Sequence, residues 1–223
     1  MPIMSRDHFG AVYLPLGVFY NRVPKAANTT VLSLLNELQT GLVEERSTIK
    51  GRIVRPSHLF WRDARRFYNL FKFTFVRNPF ERILSAWLNK VVEGDAKYQI
   101  YPGFRDNSQQ SFSRFLTALE AGELYNNRHW RPQCSVLMLP LSQFDFVGRV
   151  ERFAKDFSVV LDSIERSIDY RDLDALYPTD KGKATKAKEL LGKYYTRREV
   201  ASVLDLYSTD FDELGYSKYP HWT

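Results

Sequence analysis

The chain has 223 residues, of which 44% are hydrophobic and 15% aromatic, and it carries a formal net charge of +6. This length suits a single domain over residues 1–223 that buries roughly 70% of its extended surface. The excess of cations favours anionic ligands, but no basic run is dense enough for a nucleic-acid-binding segment. No stretch approaches the ~20 apolar residues of a membrane span, and no signal peptide pattern is present. The lone Cys134 excludes an intrachain disulfide and fits a reducing compartment.

The first motif is a predicted strand that leads through a polar turn into a helix. Residues 18–23 are rich in strand-forming side chains, and Pro24 ends them. Residues 25–30 (KAANTT) then supply one ammonium group, two hydroxyls and small side chains that let backbone amides approach a phosphate. A helix is predicted over residues 31–38, where apolar side chains recur at i, i+3, i+4 and i+7, and Gly41 is expected to end it.

This turn has the character of an anion site, because free N–H groups and the helix dipole point at a helix N-terminus. It differs from the G-x-x-x-x-G-K-[ST] loop of nucleotide triphosphatases, since it has no glycine and Lys25 precedes the small residues. By itself the pattern is equally compatible with an ordinary strand–loop–helix connection that carries a solvated lysine.

The second motif repeats this design about fifty residues further on. Residues 70–76 form an aromatic and β-branched strand with Arg77 at its end. Asn78 is a good N-cap and Pro79 suits the first helical position, so a helix is predicted to begin there. Ser85 lies within about two turns of Arg77. Two anion sites in one small chain suggest a ligand with two separate anionic groups.

An alternative interpretation of the second turn is purely structural. Arg77 could pair with Glu81, four residues later, while Ser85 merely packs against its neighbours. A strand-end arginine followed by a helical serine is weak chemistry when it stands alone.

Together the two turns resemble the cofactor loops of the sulfotransferases that use 3′-phosphoadenosine 5′-phosphosulfate (PAPS). PKAANTT followed by FVRNPFERILSAW is closest to the carbohydrate sulfotransferase branch, with its chondroitin 4-O, HNK-1 and heparan/dermatan 2-O enzymes. Residues 128–133 (RHWRPQ), 144–151 (FDFVGRVE) and 207–216 (YSTDFDELGY) resemble three further segments of that branch. The resemblance extends from about residue 18 to residue 216.

The resemblance implies a role for individual residues of both turns. The 5′-phosphosulfate would be held by one ammonium and by backbone amides and hydroxyls, from Lys25, Ala26, Ala27, Asn28, Thr29 and Thr30. Arg77 and Ser85 would hold the 3′-phosphate. Lys25 would also be catalytic, by stabilising the charge that develops on the leaving phosphate. The donor would be PAPS, the product adenosine 3′,5′-bisphosphate, and no catalytic metal would be needed.

The expected fold is α/β and resembles the P-loop kinases, with three layers and a central, mainly parallel sheet flanked by helices. Strand–helix units at residues 18–42 and 70–92 support it. The expected function is transfer of a sulfuryl group to a hydroxyl, on an acceptor expected to be a saccharide. A P-loop kinase that uses ATP and magnesium, and a non-enzymatic nucleotide- or polyanion-binding module, are the alternatives.

The location of the protein is expected to differ from that of its animal relatives. The resemblance implies Golgi-anchored enzymes with disulfides for the animal members, and this chain departs on both counts. A soluble, cytoplasmic, bacterial form is therefore expected.

The general base is sought among the histidines, because the attacking hydroxyl must lose its proton. His58 lies in residues 55–60 (RPSHLF), which resemble the H-x-x-F segment that carries the catalytic histidine of the 2-O enzymes. His129 and a carboxylate are the alternatives, whereas His8 and His221 are set aside because they lie near the termini.

Aromatic side chains are candidates for the acceptor site, because their faces can stack on a sugar ring. Trp61 and Trp130 are such candidates, together with His129 in the H-W segment. The alternative, and for any single aromatic side chain the more common case, is a place in the core. Residues 94–110 are predicted to form a long loop that could shape this site. Residues 180–186 are predicted to form a basic loop, placed like the C-terminal segment of the family that closes over the nucleotide.

Overall fold

A computed structural model describes residues 3–59, 61–94, 106–164 and 186–220. These residues divide into two compact units, each of which is described by itself. The first contains the described residues up to Val76 and those from Val136 onward to Ile164. The second contains those from Arg77 to Ser135 and from Lys186 onward. The expectation of a single domain over residues 1–223 stays a prediction.

The first unit is built on a four-stranded sheet whose strands follow one another in chain order. They are β1 (Gly10–Tyr13), β2 (Val18–Asn21), β3 (Phe71–Val76) and β4 (Phe146–Arg149). β1 is antiparallel to β2, whereas β2, β3 and β4 are parallel, with Asn21 opposite Thr74 and Val76 opposite Arg149. The carboxyl ends of the three parallel strands therefore share one edge of the sheet.

Helices and short turns complete the first unit. The α-helices are α1 (Asn28–Thr40), α2 (Arg46–Gly51), α3 (Trp61–Phe67) and α7 (Phe153–Ser163). The 3-10 turns are Ile3–Phe9, Leu14–Leu16, Pro56–His58, Leu141–Gln143 and Val150–Arg152. Gly41 ends α1 in the left-handed conformation with φ 72°, as predicted, because a residue without Cβ adopts it at little cost.

Side chains of the strands alternate between two buried clusters, one on each face of the sheet. Val18 and Tyr20 belong to the first cluster, which also contains apolar residues of α1 and α7. Phe19 belongs to the second cluster, against which Phe67 of α3 packs. Both faces of the sheet are therefore buried, as is usual where helices cover a parallel sheet on both sides. The predicted α/β fold with a central, mainly parallel sheet and flanking helices is confirmed.

The second unit contains helices joined by turns, and no strand, among its described residues. Its helices are α4 (Pro79–Trp87), which continues as a π-turn (Leu88–Val92), α5 (Gln109–Glu120), a 3-10 turn (Glu123–Tyr125), α6 (Gln133–Val136, whose last residue belongs to the first unit), α8 (Ala187–Tyr194), α9 (Arg197–Leu206) and α10 (Ser208–Leu214). Its core is aromatic: Trp87 lies 5.2 Å from Tyr194 and 5.2 Å from Phe112, between ring centroids. Across the part of the chain that the structure describes, no helix is long and apolar enough to cross a membrane.

Candidate active site

The turn between β2 and α1 has a strained backbone. Lys25 and Ala27 adopt positive φ angles of 68° and 51°, and only Lys186 does the same among the other described non-glycine residues. For a residue with a Cβ, such a backbone conformation costs on the order of 1–3 kcal/mol of conformational free energy, and it persists only where the surrounding structure imposes it. Strain of this kind concentrates at ligand-binding turns, so the first predicted anion site has a structural mark beyond its sequence.

The N-terminus of α1 is presented by this strained turn. Ala26 is buried, and its N–H donates to the Val23 carbonyl at 3.3 Å. Ala27 is the N-cap of α1 and has no side chain that could accept from the first amides of the helix. Thr29 is exposed and Thr30 is half-buried. The turn therefore leaves helix N–H groups, hydroxyls and the adjacent Lys25 in one short segment, which suits an anion.

Arg22, the first residue after β2, makes a side-chain hydrogen bond that spans this turn. Its Nε donates to Oδ1 of Asn28 at 3.2 Å, across the strained segment, and its Nη1 donates to the His8 carbonyl at 3.2 Å. Burial raises the pKa of the Tyr13 phenol to about 12, and the charge of Arg22 acts in the opposite direction. Neither Arg22 nor His8 was among the predicted site residues. Their hydrogen bond joins residues fourteen positions apart in the sequence, so no local pattern indicates it.

Asn21 fixes the end of β2 just before this turn. The residue is buried, its Oδ1 accepts from the Met138 N–H at 2.8 Å, and its Nδ2 donates to the Val136 carbonyl at 3.4 Å. The Thr74 hydroxyl donates to the Asn21 carbonyl at 2.9 Å. The strained turn therefore starts from a fully hydrogen-bonded anchor.

The second turn begins at Arg77, directly after β3. Asn78 caps α4 by accepting from the Phe80 N–H at 3.0 Å, and Pro79 is the first helical residue, as predicted. The Arg77 guanidinium pairs with the Glu81 carboxylate at 3.0 Å, and the Arg77 side chain is only 17% exposed. The ion pair that the sequence offered as a structural alternative is thus present. It holds the guanidinium in one orientation.

Ser85 lies one turn after Glu81 on the same face of α4. It is 3% exposed. The spacing is therefore four residues from Arg77 to Glu81 and four from Glu81 to Ser85. Arg77 and Glu81 form an ion pair. The proposed pairing of Arg77 and Ser85 around one phosphate stays a prediction.

The two candidate bases lie in different units. His58, in the first unit, is exposed and ends the turn Pro56–His58; its Nδ1 accepts from the Arg55 N–H at 3.4 Å. A ring that accepts at Nδ1 carries its proton on Nε2 when neutral, so a base role at Nε2 requires the other tautomer. His129, in the second unit, is half-buried, and its backbone N–H donates to Asn127 Oδ1 at 3.0 Å.

Trp130 is a core residue. Its side chain is 1% exposed, its Nε1 donates to the Glu123 carbonyl at 3.0 Å, and its ring lies 5.4 Å from that of Phe115. A ring packed in this way cannot stack on a sugar, so the expectation of an acceptor contact is wrong for Trp130. Trp61 begins α3, but its side chain lies outside the described part of the structure, as do residues 95–105 and 165–185.

Comparison with known proteins identifies the family. A sequence model of the Sulfotransferase family matches residues 15–217. Carbohydrate sulfotransferase 14 of Danio rerio is 29% identical over 167 residues, which cover 65% of this chain and 45% of the relative. The Homo sapiens protein of the same name is 32% identical over 124 residues, which cover 49% of this chain and 31% of the relative. Carbohydrate sulfotransferase 12 of Xenopus laevis is 23% identical over 254 residues, with 91% of this chain and 58% of the relative covered.

The chain thus spans between 31% and 58% of the length of these relatives. No solved structure matches it. The family match contains the strained turn, the Arg77 turn, all of β2, β3 and β4, and the helices that follow them. On this match, the chain belongs to the sulfotransferase family.

Proposed function

We propose that this protein transfers a sulfuryl group from PAPS to a hydroxyl of a saccharide acceptor. The observation that carries the proposal is the strained, glycine-free turn with Lys25 at the carboxyl edge of β2, in a chain whose match to the sulfotransferase family covers residues 15–217. Ligands of open α/β sheets bind at the carboxyl ends of the strands, which is where this turn lies.

The residues of the first turn fit a phosphosulfate group. The left-handed backbone at Lys25 and Ala27 and the small side chains allow the chain to approach an anion closely. Lys25 and the amides and hydroxyls of residues 26–30 would hold the 5′-phosphosulfate, whose activated sulfuryl group the donor supplies. The Lys25 ammonium would stabilise charge on the leaving phosphate.

The 3′-phosphate is assigned to Arg77 and Ser85. Arg77 directly follows β3, as the first turn follows β2. A guanidinium matches the geometry of a phosphate through paired hydrogen bonds. The Glu81 carboxylate keeps that guanidinium oriented before the nucleotide arrives.

The acceptor is proposed from the relatives, whose printed names are carbohydrate sulfotransferases. A sugar hydroxyl must give up its proton as its oxygen attacks sulfur, and we assign the base to His58, with His129 or a carboxylate as the alternatives. The cytoplasmic location and the bacterial origin expected from the sequence stay predictions.

A binding and turnover experiment tests the proposal. Adenosine 3′,5′-bisphosphate, AMP and ATP are titrated into the protein by calorimetry, and radiolabelled PAPS is then incubated with a panel of neutral and acidic saccharides, with and without EDTA. The expected result is tight binding of the bisphosphate and EDTA-resistant labelling of a saccharide. Preference for ATP together with a requirement for magnesium would support a kinase, and nucleotide binding without labelling of any acceptor would support a binding module.

A further inference from the structure

The backbone of Arg77 is held by the side chain of a buried glutamine that is distant in sequence. Gln133 Oε1 accepts from the Arg77 N–H at 2.9 Å, and Gln133 Nε2 donates to the Arg77 carbonyl at 2.8 Å. The two bonds pair one carboxamide with both polar groups of one residue, much as a neighbouring strand does. Gln133 is fully buried, so water cannot replace either bond when it is lost.

Asp210 in turn holds Gln133. One carboxylate oxygen accepts from the Gln133 N–H at 2.7 Å, and the other accepts from the Cys134 N–H at 2.9 Å. Asp210 is also fully buried, and such charge-assisted bonds to backbone amides are short and strong. The carboxylate therefore fixes the backbone from which the Gln133 side chain reaches Arg77.

Two more buried side chains fix the segment just before Gln133. Arg82 Nη1 donates to the Arg131 carbonyl at 2.9 Å, and the Tyr207 hydroxyl donates to the Trp130 carbonyl at 2.5 Å. Burial lowers the pKa of Arg82, and the nearby charge of Asp210 opposes that shift. The segment that carries Gln133 is thus hydrogen-bonded to buried side chains on both sides of Pro132.

We infer that Gln133 is a positioning residue for Arg77, with Asp210 as its support, and that together they preorganise the guanidinium for the 3′-phosphate. The inference rests on the proposed function, because it takes Arg77 as the 3′-phosphate contact. Glu81 orients the guanidinium while Gln133 fixes the backbone from which that side chain extends. Arg77 then loses little freedom on binding, which favours affinity.

The test measures selectivity for the 3′-phosphate. Titration calorimetry gives the Kd of AMP divided by the Kd of adenosine 3′,5′-bisphosphate for the unmutated protein, Gln133→Met, Arg77→Ala and the double variant. Gln133→Met keeps the side-chain volume and removes both hydrogen bonds. Thr196→Ala is the control, because it removes the N-cap of α9 without touching Arg77 or Gln133. Thermal melts by circular dichroism compare the stability of all variants.

Gln133→Met is expected to lower the selectivity ratio about five- to tenfold, the order of magnitude of a buried hydrogen bond, while the AMP Kd changes less than about twofold. In the Arg77→Ala background the same substitution is expected to change the ratio less than about twofold, and Thr196→Ala should leave it unchanged. If Gln133→Met does not fold, Gln133→Asn replaces it; its shorter amide cannot span both groups of Arg77, and a smaller loss in the same direction is expected.

An unchanged ratio in a folded Gln133 variant would overturn the inference. So would an equal loss in the Arg77→Ala background, since Gln133 would then act on the whole unit rather than through Arg77. An unmutated protein with a ratio near one would overturn the proposed 3′-phosphate site itself, before any variant is compared. The two failures are therefore distinguishable.

Discussion

The guanidinium of Arg22 and the side chain of Asn28 meet across the strained turn, with Arg22 Nε 3.2 Å from Asn28 Oδ1. The pair joins the residue that follows β2 to the first residue of α1. The five residues between them include both of the positive-φ positions, Lys25 and Ala27. This hydrogen bond thus helps to keep the strained backbone conformation in place.

Asn28→Ala removes the hydrogen bond between Arg22 and Asn28. We expect affinity for AMP to fall about threefold or more, since a charge-assisted hydrogen bond at a half-buried site is worth about 1 kcal/mol. Calorimetric titration with AMP measures the change, with Gln39→Ala at the exposed far end of α1 as the control. Undiminished affinity of Asn28→Ala for AMP would show that the turn keeps its conformation without the hydrogen bond to Arg22.

Lys25→Ala tests the transfer step. Turnover should fall by roughly 10²-fold or more, because a preorganised cation at a developing negative charge is lost. Donor affinity should fall less, since the helix amides and hydroxyls remain. Steady-state transfer of labelled sulfate measures both quantities. A loss confined to the donor KM would assign Lys25 to binding alone.

Arg77→Ala tests the 3′-phosphate site. The unmutated protein is expected to bind adenosine 3′,5′-bisphosphate at least about tenfold more tightly than AMP, and the variant should lose most of that difference. Competition with a fluorescent nucleotide is a suitable measurement. Arg66→Ala, an exposed cation that pairs with Asp63 in the first unit, gives the effect of lost charge alone. Equal selectivity in Arg77→Ala and Arg66→Ala would remove Arg77 from the site.

His58→Ala tests the assignment of the base. Turnover should fall roughly 10²–10⁴-fold while nucleotide affinity stays nearly unchanged, because a base acts on the acceptor proton only. His129→Ala, at the alternative position, should mainly raise the acceptor KM. A His58→Ala enzyme with normal turnover would move the search to His129 or a carboxylate.

Cys134 should be unreactive. Burial, followed by the charge of Asp210, raises the pKa of its thiol well above the ordinary range, and only the thiolate is a strong nucleophile. Alkylation by iodoacetamide at pH 8 should therefore be at least about tenfold slower in the folded protein than after denaturation. Mass spectrometry over time measures both rates. Equal rates would show that the thiol lies in an open, polar setting.

Both turns could be predicted from the sequence, because their signals are local. Pro79 and the capping Asn78 fixed the start of α4, and Gly41 fixed the end of α1. The aromatic and β-branched residues around Phe19 and Phe73 indicated the two strands. The positive φ angles of Lys25 and Ala27 carry no such signal, since neither residue type favours that conformation and only the folded surroundings impose it.

The tertiary structure decided the roles of residues whose partners are distant in the chain. Trp130 could be a sugar platform or a core residue on the sequence alone, and its buried ring makes it a core residue, because an aromatic beside a polar segment gives no hint of which side faces the core. Asn21 and Gln133 were given no individual role from the sequence, and each holds a backbone segment at least 56 residues away. Spacing along a helix or strand can be read from sequence, whereas a hydrogen bond between remote segments depends on how the whole chain folds. The sequence alone therefore indicated two turns as candidate anion sites, and the fold decided what holds those turns in shape.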